Sequence, residues 1–288
     1  MILVTGAAGK TGQAIIKALA AERRPIRALV RRYEQAQVCK SLGAEEAIVG
    51  DMRDATTLKR ATQGIRAVYH ICPNVSPDEI QIGRIAIAAA REAGVERFVF
   101  HSVMHPQTEM MTHHWNKLRV EEALLESGLA YTILQPASYM QNVLGGWKTI
   151  VERGVYTVPY ALDARMSMVD LEDIAQAATV VLTEPGHLGA TYELAGPEVL
   201  TQTQVAEILS NQLKRTVRAE QITIETWTRQ AQASGMGEYQ IETLVKMFRY
   251  YDRNGFWGNP HTLTGLLGRG PTKFETFIKR TIGQAANG

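Results

Sequence analysis

Ile2-Leu3-Val4-Thr5-Gly6-Ala7-Ala8-Gly9-Lys10-Thr11-Gly12 opens the chain, and the fold follows from how this stretch is read. The aliphatic run predicts a strand, and Thr11 to Ala20 predicts a helix with Ile15, Ile16 and Leu19 on one face. Three glycines lie in and just after the turn between them. Gly6 permits a sharp turn, Gly9 lets backbone approach a pyrophosphate, and Gly12 lets the helix pack closely on the strand. The first N–H groups of such a helix face an anion, so Gly6, Ala8, Gly9, Lys10, Thr11 and Gly12 are expected to hold dinucleotide phosphates. The other reading of the same glycines is a tight strand-to-helix turn and nothing more.

The alternation continues outward. Apolar runs at Ile26 to Val30, Ala47 to Val49, Ala67 to Ile71, Arg97 to Phe100 and Tyr131 to Leu134 are separated by segments of helical period such as Gln81 to Ala93. Strands apolar on both faces and separated by helices belong in a parallel sheet covered on each side. The fold class is therefore α/β, doubly wound, with ligand chemistry at the carboxyl ends of the strands. We expect a nucleotide-binding domain over residues 1–150 and a smaller α/β lobe over 151–288, with some return of chain to the first sheet. In the second part a helix is predicted from Ala137 to Val151, strands near Val155 and Met166, and a helix starting near Asp170 or Asp173. A Thr201-capped helix runs to Leu213, and Thr272 with Glu275 has capping-box spacing for a last helix.

The chain has 288 residues, 45% hydrophobic and 21% charged, with a formal net charge of +2. That balance gives no general argument for nucleic acid or an anionic membrane as partner, and no apolar run approaches a membrane span. Cys39 and Cys72 cannot form a disulfide framework and suit a reducing cytoplasm. Histidines near Cys72 lack metal-ligand spacing, so no metal is expected.

The second strand ends in Val30-Arg31-Arg32, where an NAD site usually carries an acid for the ribose hydroxyls. Two guanidiniums there suit a 2′-phosphate, so NADP is the expected cofactor, with NADPH preferred over NADH. A solvated basic turn is the alternative. Asp51 and Met52 follow the third strand and are expected at the cofactor; Asp51 is placed to accept from an adenine amino group, the alternative being a helix cap at Asp51 or Asp54. On a helix, His113, Lys117, Val120 and Leu124 form one stripe. Burying the Lys117 ammonium requires an acceptor, which ribose hydroxyls would supply, unless the side chain snorkels to solvent.

These landmarks, with Phe100-His101-Ser102, Tyr131-Thr132-Ile133-Leu134-Gln135-Pro136, Val169-Asp170-Leu171-Glu172-Asp173 and Leu267-Gly268-Arg269-Gly270-Pro271, resemble the NmrA-like group of the atypical short-chain dehydrogenase/reductases. The resemblance covers nearly the whole chain. It implies a Rossmann domain, a nicotinamide ribose held by Lys117, and a carbonyl-polarising Ser102. The usual proton-donating tyrosine, four residues before the lysine, is His113 here. A histidine titrating near neutrality can donate a proton; otherwise water does, or no turnover occurs. The group contains both NAD(P)H-dependent reductases of quinone-like or other conjugated small molecules and non-catalytic sensors of NADP(H) that act through a protein partner. The first class is the expectation and the second its alternative, with the oligomeric state open.

Cys72 and Pro73 are expected at the cofactor, and a substrate pocket is expected between the nicotinamide end, marked by Cys72, Pro73, Ser102, His113 and Lys117, and a cover of Tyr139, Met140 and Asn142, with Phe248 and Trp257 as lid residues. Nine of the 20 aromatic residues fall in 215–288, as a second core or as lining for that pocket.

Overall fold

A computed structural model describes residues 1–286, which form two compact units. The first comprises 1–109, 113–135 and 174–192; the second comprises 110–112, 136–173 and 193 onward.

In the first unit the chain alternates β1 (Ile2–Val4), α1 (Lys10–Ala21), β2 (Ile26–Val30), α2 (Tyr33–Ser41), β3 (Glu46–Val49), α3 (Ala55–Thr62), β4 (Ala67–His70), α4 (Glu79–Glu92), β5 (Arg97–His101), α5 (Thr112–Leu125) and β6 (Tyr131–Pro136). Further on come β7 (Ser138–Tyr139), a 3-10 helix (Met140–Gly146), α6 (Trp147–Arg153), β8 (Val155–Val158), β9 (Met166–Val169), α7 (Leu171–Thr183) and β10 (Ala190–Leu194). The chain ends with β11 (Val199–Leu200), α8 (Gln202–Leu213), β12 (Arg218–Gln221), α9 (Ile224–Ala233), α10 (Glu238–Asn254), α11 (His261–Leu267) and α12 (Phe274–Ala286).

Seven strands make one sheet in the order β10-β6-β5-β4-β1-β2-β3, with parallel pairing from β3 across to β6. This is the doubly wound α/β architecture the alternation predicts. Every residue of β1 and β4 is buried, as a central strand covered on both faces requires. Edge strand β3 keeps its ends exposed. Strand order reverses between β1 and β4, so the crevice for a ligand lies where Thr5 to Gly9 and Ile71 to Pro73 leave the sheet. The first unit leaves the chain at Gln135, one residue before β6 ends, and takes it up again over 174–192.

The second unit has a three-stranded sheet, β11-β9-β7, and a parallel pair, β12-β8. Val158, Val205, Leu209, Phe274, Phe277 and Ile278 lie in its core cluster. The helix predicted over Ala137 to Val151 is not continuous. β7 pairs with β9, a 3-10 stretch follows, and α-helix begins only at Trp147, after Gly145 and Gly146. Thr201 caps α8 through the N–H of Gln204, as predicted. Thr272 does not cap the last helix: its N–H and hydroxyl both donate to Asp173, at 2.6 and 3.1 Å. No helix among the described residues is long and apolar enough to cross a membrane.

Candidate active site

The first turn after β1 is shaped by contacts that tolerate no side chain. Gly6 has φ +58°, and a Cβ there would lie 2.8 Å from the Ile71 carbonyl; one on Gly12 would lie 2.5 Å from the Gly6 carbonyl. A Cβ on Gly9 would meet only that carbonyl, at 3.4 Å, and Gly9 itself is exposed. Gly9 is the N-cap of α1, with no side-chain cap and no acid in the first turn. The leading N–H groups of α1 are thus open to an external acceptor, framed by Ala8, exposed Lys10 and half-buried Thr11. A pyrophosphate fits this cradle by charge and by the space Gly9 leaves.

After β2, Arg31 and Arg32 donate their backbone N–H groups to Gln35 Oε1, each at 3.1 Å. Both side chains are exposed, and neither guanidinium has a hydrogen-bond or ion-pair partner among the described residues. They fit a 2′-phosphate. Asp51 is bound by Arg53 of its own turn, with Nη2 to Oδ2 at 2.7 Å, and this pairing holds its carboxyl down at about 2. It does not cap a helix; Asp54 caps α3. Met52 is a core residue of the first unit.

Lys117, from α5, reaches the end of β5. Its ammonium donates to Glu79 Oε1 at 2.9 Å and to the His101 carbonyl at 3.3 Å, and lies 5.4 Å from the centre of the Phe100 ring. The side chain is 15% exposed and does not snorkel to solvent. Glu79 was not singled out from sequence. The signal available was an acid opening a helix just after a strand end, a position that a helix N-terminus itself stabilises.

The structure revises the expectations for three neighbours of Lys117. Ser102 is buried, and its hydroxyl donates to Glu121, whose two oxygens also accept from Gln135 Nε2 at 2.9 and 3.1 Å. That hydroxyl is committed inside the unit and is not free to polarise a carbonyl. Burial raises the Glu121 carboxyl against the lowering effect of these bonds. His113 does not titrate near neutrality: burial, and next the Lys117 charge, depress it to about 4, and its Nδ1 has no hydrogen-bond partner. The Cys72 thiol is 4% exposed and burial pushes it well up, so it is an inert core thiol; Pro73 beside it is half-buried.

The residues expected on the substrate side lie in the second unit. Tyr139, on β7, is half-buried, and exposed Asn142 donates to Ser138 Oγ at 3.2 Å. Met140 is 1% exposed within the second core and forms no open wall. Phe248 is also a core residue and not a lid. Its ring packs edge-on against Trp227 at 4.7 Å and lies 6.1 Å from Tyr160. Trp257 is 49% exposed, with the Arg165 guanidinium 5.4 Å over its ring. An open groove of about 860 Å³ lies between α9 and α10, with Ile224, Ile241 and Val245 on its floor and both signs of charge on its rim. No metal-ligand cluster exists among the described residues.

Comparison with known proteins gives the relatives of this chain. NAD(P)H azoreductase of Xenophilus azovorans is 32% identical over 284 residues, covering 97% of each chain. Quinone oxidoreductase 2 of Escherichia coli (strain K12) is 29% identical over 276 residues, covering 94% of this chain and 95% of that one. The crystal structure of NADPH-dependent quinone oxidoreductase from Escherichia coli, complexed with NADPH, matches with a TM-score of 0.86 and 27% identity, covering 98% of this chain and 100% of that one. Residues 1–284 match the NmrA-like family, and with them the glycine turn and the Lys117 helix: this chain belongs to the NmrA-like family.

Proposed function

We propose that the protein is an NAD(P)H-dependent reductase of small, electron-poor conjugated acceptors of the quinone or azo-dye kind. The observation that carries this reading is the uncapped, glycine-framed start of α1 beside two unpaired guanidiniums at the end of β2. Gly6, Gly9 and Gly12 with the first turn of α1 would hold the pyrophosphate, and Arg31 and Arg32 the 2′-phosphate that makes NADPH the preferred form. Lys117 would hold the nicotinamide ribose. When bound, the cofactor supplies hydride.

The chain's own contribution is binding and orientation, since neither Ser102 nor His113 stands as a poised acid. Ser102 is occupied by Glu121 and His113 is a neutral imidazole at pH 7. Water then supplies the proton that the reduced acceptor takes up. The azoreductase and quinone oxidoreductase relatives support this acceptor class by their named activities. Free buried thiols at Cys39 and Cys72 suit a reducing cytoplasm, where we place an atypical short-chain dehydrogenase/reductase of this kind.

The deciding experiment follows NADPH and NADH oxidation by the purified protein with naphthoquinones, enones and azo dyes. Turnover with at least one class, faster with NADPH, is expected. Binding of NADPH without oxidation by any acceptor overturns the enzyme reading and leaves a cofactor sensor.

A further inference from the structure

Glu79 is the first residue of α4, and Lys117 lies one turn into α5. The two helices approach closely at Gly83 and Val120, where a Cβ on the glycine would lie 2.6 Å from Val120 Cγ1. Gly83 is one turn after Glu79, and Val120 nearly one turn after Lys117. The close contact therefore fixes the helices at the level where carboxylate and ammonium meet. Glu79 is 2% exposed, and no route to solvent competes for its carboxylate. Besides Lys117, its other side-chain partner is the protonated Cys72 thiol, which is neutral.

An ammonium has three donors in a roughly tetrahedral set. In Lys117 one is directed to Glu79 and one to the His101 carbonyl, with the ammonium over the Phe100 ring. Fixing two donors fixes the direction of the third. We propose that Glu79 is the positioning residue of the cofactor site: its buried carboxylate anchors the Lys117 ammonium at the end of β5 and aims the remaining N–H at the ribose of the bound nicotinamide cofactor. This rests on the reading of Lys117 as a cofactor ligand given above. Glu79 does not touch the cofactor and acts through Lys117. The arrangement exists before the cofactor arrives, so binding does not have to restrain a flexible four-carbon side chain.

The groups facing the ammonium make Glu79 the counter-charge. His70 on β4, His101 on β5, and His113 and His114 on α5 are all held in the neutral form by burial. The Cys72 thiol is protonated, and Glu121 on α5 is engaged by Ser102 and Gln135. Replacing Glu79 by glutamine keeps an acceptor oxygen and removes the charge, leaving the buried ammonium with no directly bonded carboxylate and with Glu121, already engaged by Ser102 and Gln135, as the remaining acid in its field. Such an ammonium releases its proton readily.

The test measures NADPH dissociation constants between pH 7 and 9.5 for wild type, Glu79→Gln, Glu79→Asp, Lys117→Met and the Glu79→Gln/Lys117→Met double variant. Glu79→Gln is expected to weaken NADPH by about tenfold at pH 7, the scale of one charged hydrogen bond. It should also lose affinity more steeply than wild type as pH rises. Glu79→Asp, which keeps the charge but withdraws it by a methylene, should weaken binding without the steeper loss. The double variant removes both charges and so leaves none buried alone. It should bind NADPH no worse than Lys117→Met, because Glu79 acts only through the lysine. A purely structural pair would lower the unfolding temperature while leaving the pH profile parallel to that of wild type, and that result overturns the proposal. So does additivity in the double variant, which remains informative if Glu79→Gln does not fold. Wild-type affinity in Lys117→Met overturns the cofactor role of Lys117 itself, and Glu79 falls with it. Wild-type affinity in Glu79→Gln with a weakened Lys117→Met overturns the Glu79 assignment alone.

Discussion

Around Lys117 in the first unit the buried ionisable groups are mainly histidines and carboxylates, with Tyr69 bonded to His101; in the second unit tyrosines in an aromatic core stand beside two aspartates gripped by arginines. His70 and His101 are buried, and burial depresses both to about 3. Tyr156, Tyr160 and Tyr251 are pushed above the usual phenol range by the same cause. Asp170 and Asp173, each with no exposed side-chain surface, pair at 2.7 Å with Arg280 and Arg269. A phenol is neutral until about pH 10 and needs only one partner, as Tyr156 finds in Gln202 at 2.9 Å. Such groups stiffen a core without storing charge. A buried ammonium faced by a carboxylate and neutral imidazoles stores charge where a cofactor can use it, at the cost of sensitivity to acid.

The largest effect is expected where the second unit has staked its stability. Asp173→Ala removes the partner of Arg269 and of two groups of Thr272, and should cost about 3–5 kcal/mol of unfolding free energy in urea titrations. A change below 1 kcal/mol would show that these bonds are replaced by water and that the aspartate is no keystone.

The pH response separates the units next. A histidine buried neutral has a folded pKa below its unfolded value near 6.5, so its stabilising contribution is full above about pH 6.5 and is lost as pH falls toward about 4, the value for His113. A tyrosine with a raised folded pKa contributes fully below about pH 10 and loses that contribution as pH rises further. Variants keeping only Trp115, in the first unit, or only Trp227, in the second, report each side by fluorescence. Acid should disturb the Trp115 signal first and alkali the Trp227 signal first. The reverse order in either limb breaks the comparison.

Two smaller effects sharpen it. Arg31→Ala should weaken NADPH by about tenfold and leave NADH unchanged, measured by titrating both cofactors. Equal loss for both would move Arg31 away from the 2′-phosphate. His113→Phe should change kcat by less than about twofold with an unaltered pH profile, because a neutral imidazole with a folded pKa near 4 is no acid at pH 7. A large fall in kcat with a shifted acid limb would return the proton to His113.

What was legible in the sequence was local. Gly6, Gly9 and Gly12 carry their reason within one turn, and the apolar runs of β1, β2, β4, β5 and β6 announce a sheet buried on both faces. Met140, Val143, Leu144 and Trp147 have helical spacing, so they read as one helix over Ala137 to Val151. Spacing reports which side chains share a face and does not distinguish i+3 from i+4 bonding, so the 3-10 stretch and β7 were hidden. In the site, Arg31 and Arg32 were legible because their meaning lies in the strand end that carries them. Glu79 meets Lys117 across 38 positions and Gln135 meets Glu121 across 14, and nothing in either neighbourhood announces the pairing. Thr272 shows the same limit: its spacing to Glu275 is that of a cap, while its partner lies 99 residues away.

The sheet order β10-β6 has a consequence for synthesis. β6 is complete at Pro136, yet the strand that covers its outer edge begins only at Ala190. A ribosome adding roughly 5–20 residues per second leaves that edge open for about 3–10 s. During that interval the nascent chain carries an unpaired row of N–H and C=O groups on a strand of six residues, four of them fully apolar or ring-bearing, which any second strand can extend. Chaperone dependence during translation should therefore end when β10 emerges, well before the chain does.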